Sequence, residues 1–394
     1  MNKTTDIIVI GGGVIGSACA YYLAKEGQKV ILIEKNDLAS GASGACDQDI
    51  ILQSKNPGVH LELALASAKM YTDLALELDY DIEYENYGGM ILIETPDELE
   101  IMEEFVARQK ALGLEVSILD YKEALKLQRD LAPHILGSTY SPQDAHVNPI
   151  RLNLGFALGA QRYGAEILLA TEVTDILVKN DRIEGVNTSK GIIYAPVVIN
   201  AAGAWAPLIA KMVGQELPIE PRRGQIVVTE AVPPLVMGDV LSAQYIAAKY
   251  NPELTQNETS LAKKLGVGLS LSQTKKGNIL IGATREFVGY DTRNTREGIR
   301  EVLKNAVRLI PALKDINIIR TIAGLRPYTP DGLPLLGPIV QPEGFYLASG
   351  HEGDGIALAP LTGKIISQLI IDGKSPIDIN ALSPHRFSLN CAAK

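Results

Sequence analysis

Three glycines and one acid near the start of the chain have the types and spacing that bind a pyrophosphate and a ribose. Gly11, Gly13 and Gly16 read G-x-G-x-x-G, and Glu34 lies 18 residues after Gly16. The first glycine permits a tight turn. The second lets the backbone approach a pyrophosphate, and the third lets a helix lie close on a strand. A helix opening at Val14 and Ile15 would point unpaired N–H groups at the phosphates. Glu34, with Lys35 beside it, can accept hydrogen bonds from ribose hydroxyls and would repel a 2′-phosphate. Far along the chain, Arg326 sits in "GLRPYTPDG", where a guanidinium can grip a carboxylate with two hydrogen bonds and Tyr328 can flank it. Gly350, Gly353 and Gly355 precede an apolar helix, "IALAPLTGKIISQLI". Pro360 is expected within about its first turn, which places the helix start near Asp354–Ile356. Such an end stabilises an anion. The loop "GASGACDQDI" (Gly41–Ile50) carries Cys46, Asp47 and Asp49, which suit a cofactor contact, a substrate contact or a surface turn.

These residues need a scaffold. "DIIVI" (Asp6–Ile10) is a β-branched apolar run that reads as a strand buried on both faces. "VIGSACAYYLAKEG" follows with a helical pattern ending at Gly27, and "KVILIEK" (Lys29–Lys35) reads as a second strand. Strand, glycine turn, helix, strand and terminal acid together predict a dinucleotide-binding unit. They leave FAD and NAD open. "YGGMILIE" (87–94), "GQIVVTE" (224–230) and "GNILIGAT" (277–284) predict further strands, and residues 97–113 a charged amphipathic helix. Residues 251–264 are polar and aperiodic, as expected of an excursion over a site or partner surface.

Composition narrows the class. A chain of 394 residues predicts two domains. A net charge of −9 without a basic run argues against nucleic-acid binding. Cys19, Cys46 and Cys391 form no C-x-x-C pair, so no disulfide framework or metal site is expected, and a reducing, cytoplasmic compartment fits. The apolar run 7–24 is interrupted by four glycines and follows Asp6, so it is read neither as a signal peptide nor as a transmembrane segment.

Three further segments complete a pattern. They are "VVINAAGAWAPLIA" (197–210), "TIAGLRPYTPDGLPLLG" (321–337) and "GFYLASGHEGDGIALAPLTGKIISQLI" (344–370). With the N-terminal unit they resemble the glycine oxidase, D-amino-acid oxidase and sarcosine oxidase group of FAD-dependent amine oxidoreductases, over nearly the whole chain. "QYIAAKYNPEL" (244–254), "LSQTKKGNILIGATREFVGYD" (271–291) and "GHEGDGIALAP" (350–360) are similar to the catalytic β-type subunits of opine, hydroxyproline and hydrogen-cyanide-producing glycine dehydrogenases.

The resemblance implies an α/β fold (α+β overall). A Rossmann-like FAD-binding domain with a parallel sheet would span 1–85, 145–215 and 320–385. A substrate domain on a mixed or antiparallel sheet would span 86–144 and 216–319, leaving 386–394 as a tail. It implies non-covalent FAD held by the glycine unit, by Ala42 and Ser43 at the pyrophosphate, and by Asp47, Gln48 and Asp49 through their backbone. Val173 would lie beside the adenine. Ala202 and Gly203 would let the chain approach the cofactor closely. Gly350, Gly353, Asp354, Gly355 and Ile356 would form the flavin loop, with His351 contacting flavin or substrate. Relatives continue the Gly41 loop with small residues or asparagine and glycine, so the two acids are a departure. A covalent link through Cys46 is conceivable but not expected.

Arg326 is the implied carboxylate anchor. Arg222 and Arg223 compete for that role or hold an inter-domain strand, and Trp205 packs or meets the flavin. His60, His134, His146 and His385 show no constellation and receive no chemistry. The implied reaction is oxidation of a small amino or imino acid, a secondary amine above all, by hydride transfer from the α carbon to flavin N5. The implied partners are a second flavoprotein subunit and an iron–sulfur subunit. A peroxide-forming oxidase and an electron-relay subunit without its own substrate stand as alternatives.

Overall fold

The computed structural model describes residues 3–244, 246 and 260–387. Most of "QYIAAKYNPEL", most of the expected 251–264 excursion and Cys391 lie outside the described residues.

Alternating burial builds the first layer. Ile7–Ile10 and Val30–Ile33 are buried throughout and pair in parallel. Ile7, Val9, Val30 and Leu32 join the core under the helices, whereas Ile8, Ile10, Ile31 and Ile33 join the core on the opposite face. This two-residue period explains why the runs are continuously apolar. The sheet has six strands in the order Leu335–Pro338, Phe345–Ser349, Val197–Asn200, Ile7–Ile10, Val30–Ile33 and Glu166–Leu168. All neighbours are parallel except the first pair. Helices Val14–Lys25, Val59–Glu77, Pro149–Arg162 and Gly355–Asp372 contribute to the core on one face. A four-stranded sheet of Lys3–Thr4, Gly191–Tyr194, Arg182–Thr188 and Val173–Lys179 covers the other.

An eight-stranded sheet stands beside these layers. Its order is Ile318–Tyr328, Glu220–Ala231, Asn278–Gly282, Ser270–Gln273, Asp239–Ser242, Gly89–Ile93, Gly137–Ser141 and Ser117–Asp120. Only Asp239–Ser242 and Gly89–Ile93 run parallel. Helix Pro96–Ala111 starts on a capping box between Thr95 and Glu98. Residues 320–328, expected with the cofactor segments, belong instead to this sheet. They extend strand Ile318–Tyr328, which pairs with Glu220–Ala231 from Thr229 down to Glu220. That ladder is long enough to carry Arg222, Gly224 and Arg326 toward the first layer.

Helix Gly355–Asp372 begins where expected, but Pro360 falls in its second turn. Proline has no N–H for the carbonyl of Ile356 four residues back. The hydroxyl of Tyr71 donates to that carbonyl instead. Among the described residues this helix alone has the length and apolar composition of a membrane span, and most of it is buried in the protein core.

Candidate active site

A cavity of about 990 Å³ opens between the carboxyl ends of the parallel strands and the eight-stranded sheet. Ligands bind open α/β sheets at this position. Small-ligand pockets span roughly 300–1,000 Å³, so this one has room at the top of that range.

One end is built by the glycine unit. Gly11, Gly13, Val14 and Ile15 line it, with Glu34 and Lys35 at the far edge. Gly11 takes φ of +112°, where a side chain would strain the turn. Gly16 does not reach the cavity. A Cβ there would sit 1.9 Å from the carbonyl oxygen of Gly11, so its role is to let helix Val14–Lys25 lie on the strand. Glu34 accepts from the backbone N–H groups of Gly12 (2.7 Å) and Asn36 (2.8 Å), which fixes its carboxylate at the rim. Lys35 pairs with Glu172 at 2.7 Å on the surface. Ser43 Oγ accepts from Val14 N at 3.0 Å and caps the helix, with Ala42 beside it on the lining. Val173, Ala202 and Gly203 also line the cavity. Trp205 lines it too and stacks on Tyr290, with ring centres 5.9 Å apart.

The far wall is cationic. Arg326, Arg222 and Arg285 line it. Arg326 Nη1 donates to the carbonyl of Thr284 at 3.0 Å, and the guanidinium lies flat against Gly224, where a Cβ would come within 2.4 Å. Burial pulls the Arg326 guanidinium below its usual pKa, while Glu352 opposes the shift. Arg222 is committed to Glu352 and stacks over Tyr328, 4.6 Å from its ring centre. Arg223 turns away, into a buried pair with Glu286 at 2.8 Å. Of the three arginines weighed in the sequence, Arg326 has the loosest ion pair, 4.0 Å from Glu352, which lines the cavity beside it.

Another part of the lining is acidic. In an extended chain successive side chains alternate. Asp47 and Asp49 line the cavity, whereas Gln48 is buried away from it and its backbone carbonyl accepts from Val147 N at 3.0 Å. Ser270 Oγ lies 2.9 Å from Asp47 Oδ2 and 2.7 Å from Asp49 Oδ2. One hydroxyl hydrogen serves only one of these contacts at a time, and a proton on either carboxyl would serve the other. Burial pushes the Asp49 carboxyl well up, and Asp239 and Asp47 push further. The same burial, with Asp47 and Asp49, raises the Cys46 thiol, which donates to the carbonyl of Ser43 at 3.5 Å.

The start of helix Gly355–Asp372 closes the site. Gly353, Asp354, Gly355 and Ile356 line the cavity. Asp354 is held by Lys55 and by His60 Nε2 at 2.9 Å, and Lys55 keeps its carboxyl below the usual range against the opposing effect of burial. His351 is buried, with Nε2 3.0 Å from Thr362 Oγ1, and burial lowers its pKa to about 3. It is neutral at ordinary pH and pins the loop to the helix. Gly350 stays outside the lining and supplies φ of +83° for the turn. Sequence reasoning missed Lys55, His60, Ser270 and Arg285, because no local motif marks them. The partners of Lys55, His60 and Ser270 lie hundreds of residues away.

The FAD dependent oxidoreductase family model matches residues 6–369. The chain is 31% identical to hydrogen cyanide synthase subunit HcnC of Pseudomonas aeruginosa, covering 100% of this chain and 99% of that one. It is 31% identical to glycine oxidase of Geobacillus kaustophilus, covering 97% of each. The crystal structure of L-proline dehydrogenase from P. horikoshii superposes with a TM-score of 0.88 at 30% identity, over 99% of both chains. The chain belongs to the FAD dependent oxidoreductase family.

The residues present fit FAD. Glu34 would take the ribose, and the first turn of helix Val14–Lys25 the pyrophosphate. The start of helix Gly355–Asp372, where Lys55 offsets Asp354, would offer the partial positive charge of its terminus to the flavin. Both arms of the expected site converge on one cavity, and only Gly16, Gln48 and Gly350 stand behind it.

Proposed function

We propose that this FAD-dependent oxidoreductase oxidises a small amino or imino acid as the catalytic subunit of a hetero-oligomeric dehydrogenase. The observation that carries the reading is the polarity of the cavity. Arg326, Arg222 and Arg285 form one part of the lining, and Asp47 and Asp49 another. A substrate with a carboxylate and an amine satisfies both, and neither a simple amine nor a simple acid does. FAD, when bound, accepts the two electrons and the hydrogen removed from the α carbon. Arg326 holds the carboxylate and so fixes which C–H bond is presented. Arg222 lies over the rings of Tyr328 and Phe287, which meet edge-on at 5.2 Å. Lys55 and the helix terminus favour negative charge at their end of the cavity.

A secondary amine, proline-like or an opine, is the preferred substrate. Its support is the similarity to L-proline dehydrogenase. Similarity to a hydrogen cyanide synthase subunit supports the subunit role. The similarity to glycine oxidase favours a second reading, a peroxide-forming oxidase. Anaerobic mixing of the yellow protein with glycine, sarcosine, both prolines, hydroxyprolines and arginine-derived opines tests the reading. Bleaching of the flavin band by a secondary amino acid, with slow recolouring in oxygen, is expected. Bleaching only by primary D-amino acids would refute the secondary-amine preference. No bleaching by any amine would refute the function and leave an electron-relay subunit. Rapid recolouring with peroxide would favour the oxidase.

A further inference from the structure

The acidic wall does not stop at the cavity. Asp49 is paired in register with His146 across the short antiparallel ladder Asp49–Ile50 with Ala145–His146. Glu85 bridges to His146 on its other side through two backbone hydrogen bonds of 2.9 Å. This backbone frame brings together side chains from three distant segments. Asp49 acts on Asp239 as a hydrogen-bonding neighbour, and Asp239 acts on Asp49 through its charge. Asp49 Oδ1, Asp239 Oδ2 and the hydroxyl of Ser272 are all buried without a hydrogen-bond partner; Ser272 stands opposite Asp239 in the sheet and acts on Asp49, and the Asp239 side chain has no exposure. One hydroxyl hydrogen serves one of these two oxygens, and a proton on either carboxyl serves the other. His146 Nδ1 lies 3.3 Å from Asp239 Oδ1, and His146 Nε2 lies 3.3 Å from Glu85 Oε2. The Glu85 side chain is 20% exposed, and Lys275 stands 4.0 Å off at the surface. The chain Asp47, Ser270, Asp49, Asp239, His146, Glu85 therefore runs from the cavity to solvent.

We infer that this row of side chains is a proton exit, which takes an N–H proton from the bound amine through Asp47 and Asp49 to Asp239, His146 and Glu85. The role rests on the amine-oxidation reading above. An ammonium has no lone pair to form the new C=N bond, so one N–H bond must break before the C–H bond does. The proton goes to a carboxylate oxygen of the Asp47–Asp49 pair, and a proton on Asp49 moves on toward Asp239. Asp239 loses its proton from Oδ1 to His146 Nδ1 as this N–H bond forms, and His146 releases the proton on Nε2 to Glu85, whence it leaves to water. No electrons move in this step. Histidine between two carboxylates suits it, because either nitrogen can donate or accept. The charges facing the row are known: Arg326 acts on Asp47, Asp144 on Asp239, and Lys55 on Asp144.

The test compares wild type, His146→Gln and Glu85→Gln, all with FAD bound. Neither replaced residue lines the cavity. Anaerobic flavin bleaching by the best amine should be at least tenfold slower in His146→Gln. It should also become steeper in pH, as bulk base takes over. Glu85→Gln, at the exposed end, should change in the same sense and decides the matter if His146→Gln fails to fold. Infrared spectra of the resting holoenzyme should contain the carbonyl band of a protonated carboxyl that is lost in Asp49→Asn. Wild-type rates and pH profiles in variants that bleach, or no such band in the wild type, overturn the relay and leave the function standing. Failure of the wild type to bleach with any amine removes both.

Discussion

Replacing Gly224 by alanine tests the carboxylate anchor without touching it. Gly224 and Arg326 lie on the paired strands Glu220–Ala231 and Ile318–Tyr328, where Arg222 is opposite Arg326 and Gly224 opposite Gly324. A Cβ on Gly224 would fall 2.4 Å from Arg326 Nη1 and 2.6 Å from both Cζ and Nη2, against the 3.4 Å at which ordinary contact begins. The guanidinium must retreat by about 1 Å. Its 3.0 Å hydrogen bond to the carbonyl of Thr284 then stretches beyond bonding range. A fork displaced that far loses at least one of its two bonds to a carboxylate. A hydrogen bond to a charged group is worth about 1.5–3 kcal/mol. At about 1.4 kcal/mol per factor of ten, KM should rise about 10- to 150-fold. Gly224 is not among the residues of positive φ, so the backbone itself accepts alanine. The assay is steady-state kinetics with FAD content checked by absorbance, for Gly224→Ala, Arg326→Ala and the double variant. If the effect passes through the guanidinium, adding Gly224→Ala to Arg326→Ala changes KM little. An unchanged KM in Gly224→Ala, or full additivity in the double variant, would refute the reasoning.

Three further outcomes follow from the geometry. Gly16→Ala puts a Cβ 1.9 Å from a backbone oxygen, a clash no side-chain motion relieves, and should cost about 3 kcal/mol or more with loss of bound flavin, read by thermal melt and flavin content. Burial first, then Asp47 and Asp49, raise the Cys46 thiol well above its usual range, so thiolate is scarce. Acid precipitation should leave a colourless pellet, and Cys46→Ser should keep its FAD. Burial, then Asp144 and Asp47, raise the Asp239 carboxyl. The folded state thus keeps a proton that the unfolded chain releases above about pH 4, and stability falls as pH rises through the folded value. Asp239→Asn should therefore exceed wild type in Tm most at about pH 8, with the gap closing toward pH 4. A gap that widens on acidification would contradict the sign.

The dinucleotide unit was legible because its signals are local. The glycine spacing, the helix end at Gly27 and the acid at Glu34 all lie within one strand–helix–strand unit. The flavin loop was legible for the same reason, apart from Pro360, whose tolerance depends on Tyr71, 285 residues from the Ile356 carbonyl it caps. The acidic wall was not legible. Which way Asp47 and Asp49 turn depends on the register of a two-residue ladder with Ala145–His146, and their partner Ser270 is 223 and 221 residues away. Shifting that register by one residue would exchange Asp49 for Gln48. Lys55 meets Asp354 across 299 residues, and His146 meets Asp239 across 93. No window of sequence contains both members of such pairs.

The two acids set a constraint that the rest of the cavity has to meet. A lone ionised carboxylate in a site built to accept electrons opposes the negative charge that arrives. Two of them would oppose it more. The structure answers in two ways at two parts of the lining. On the acidic side, Asp47 and Asp49 converge on one hydroxyl, and burial raises the Asp49 carboxyl, which favours its neutral form. On the other side, Lys55 and His60 offset Asp354 at the start of helix Gly355–Asp372, and the helix terminus adds positive potential there. Arg326 already faces the negative charge near Asp47. On the proposed function, these two charges would orient an entering amino acid before any shape matching, carboxylate toward Arg326 and nitrogen toward Asp47 and Asp49.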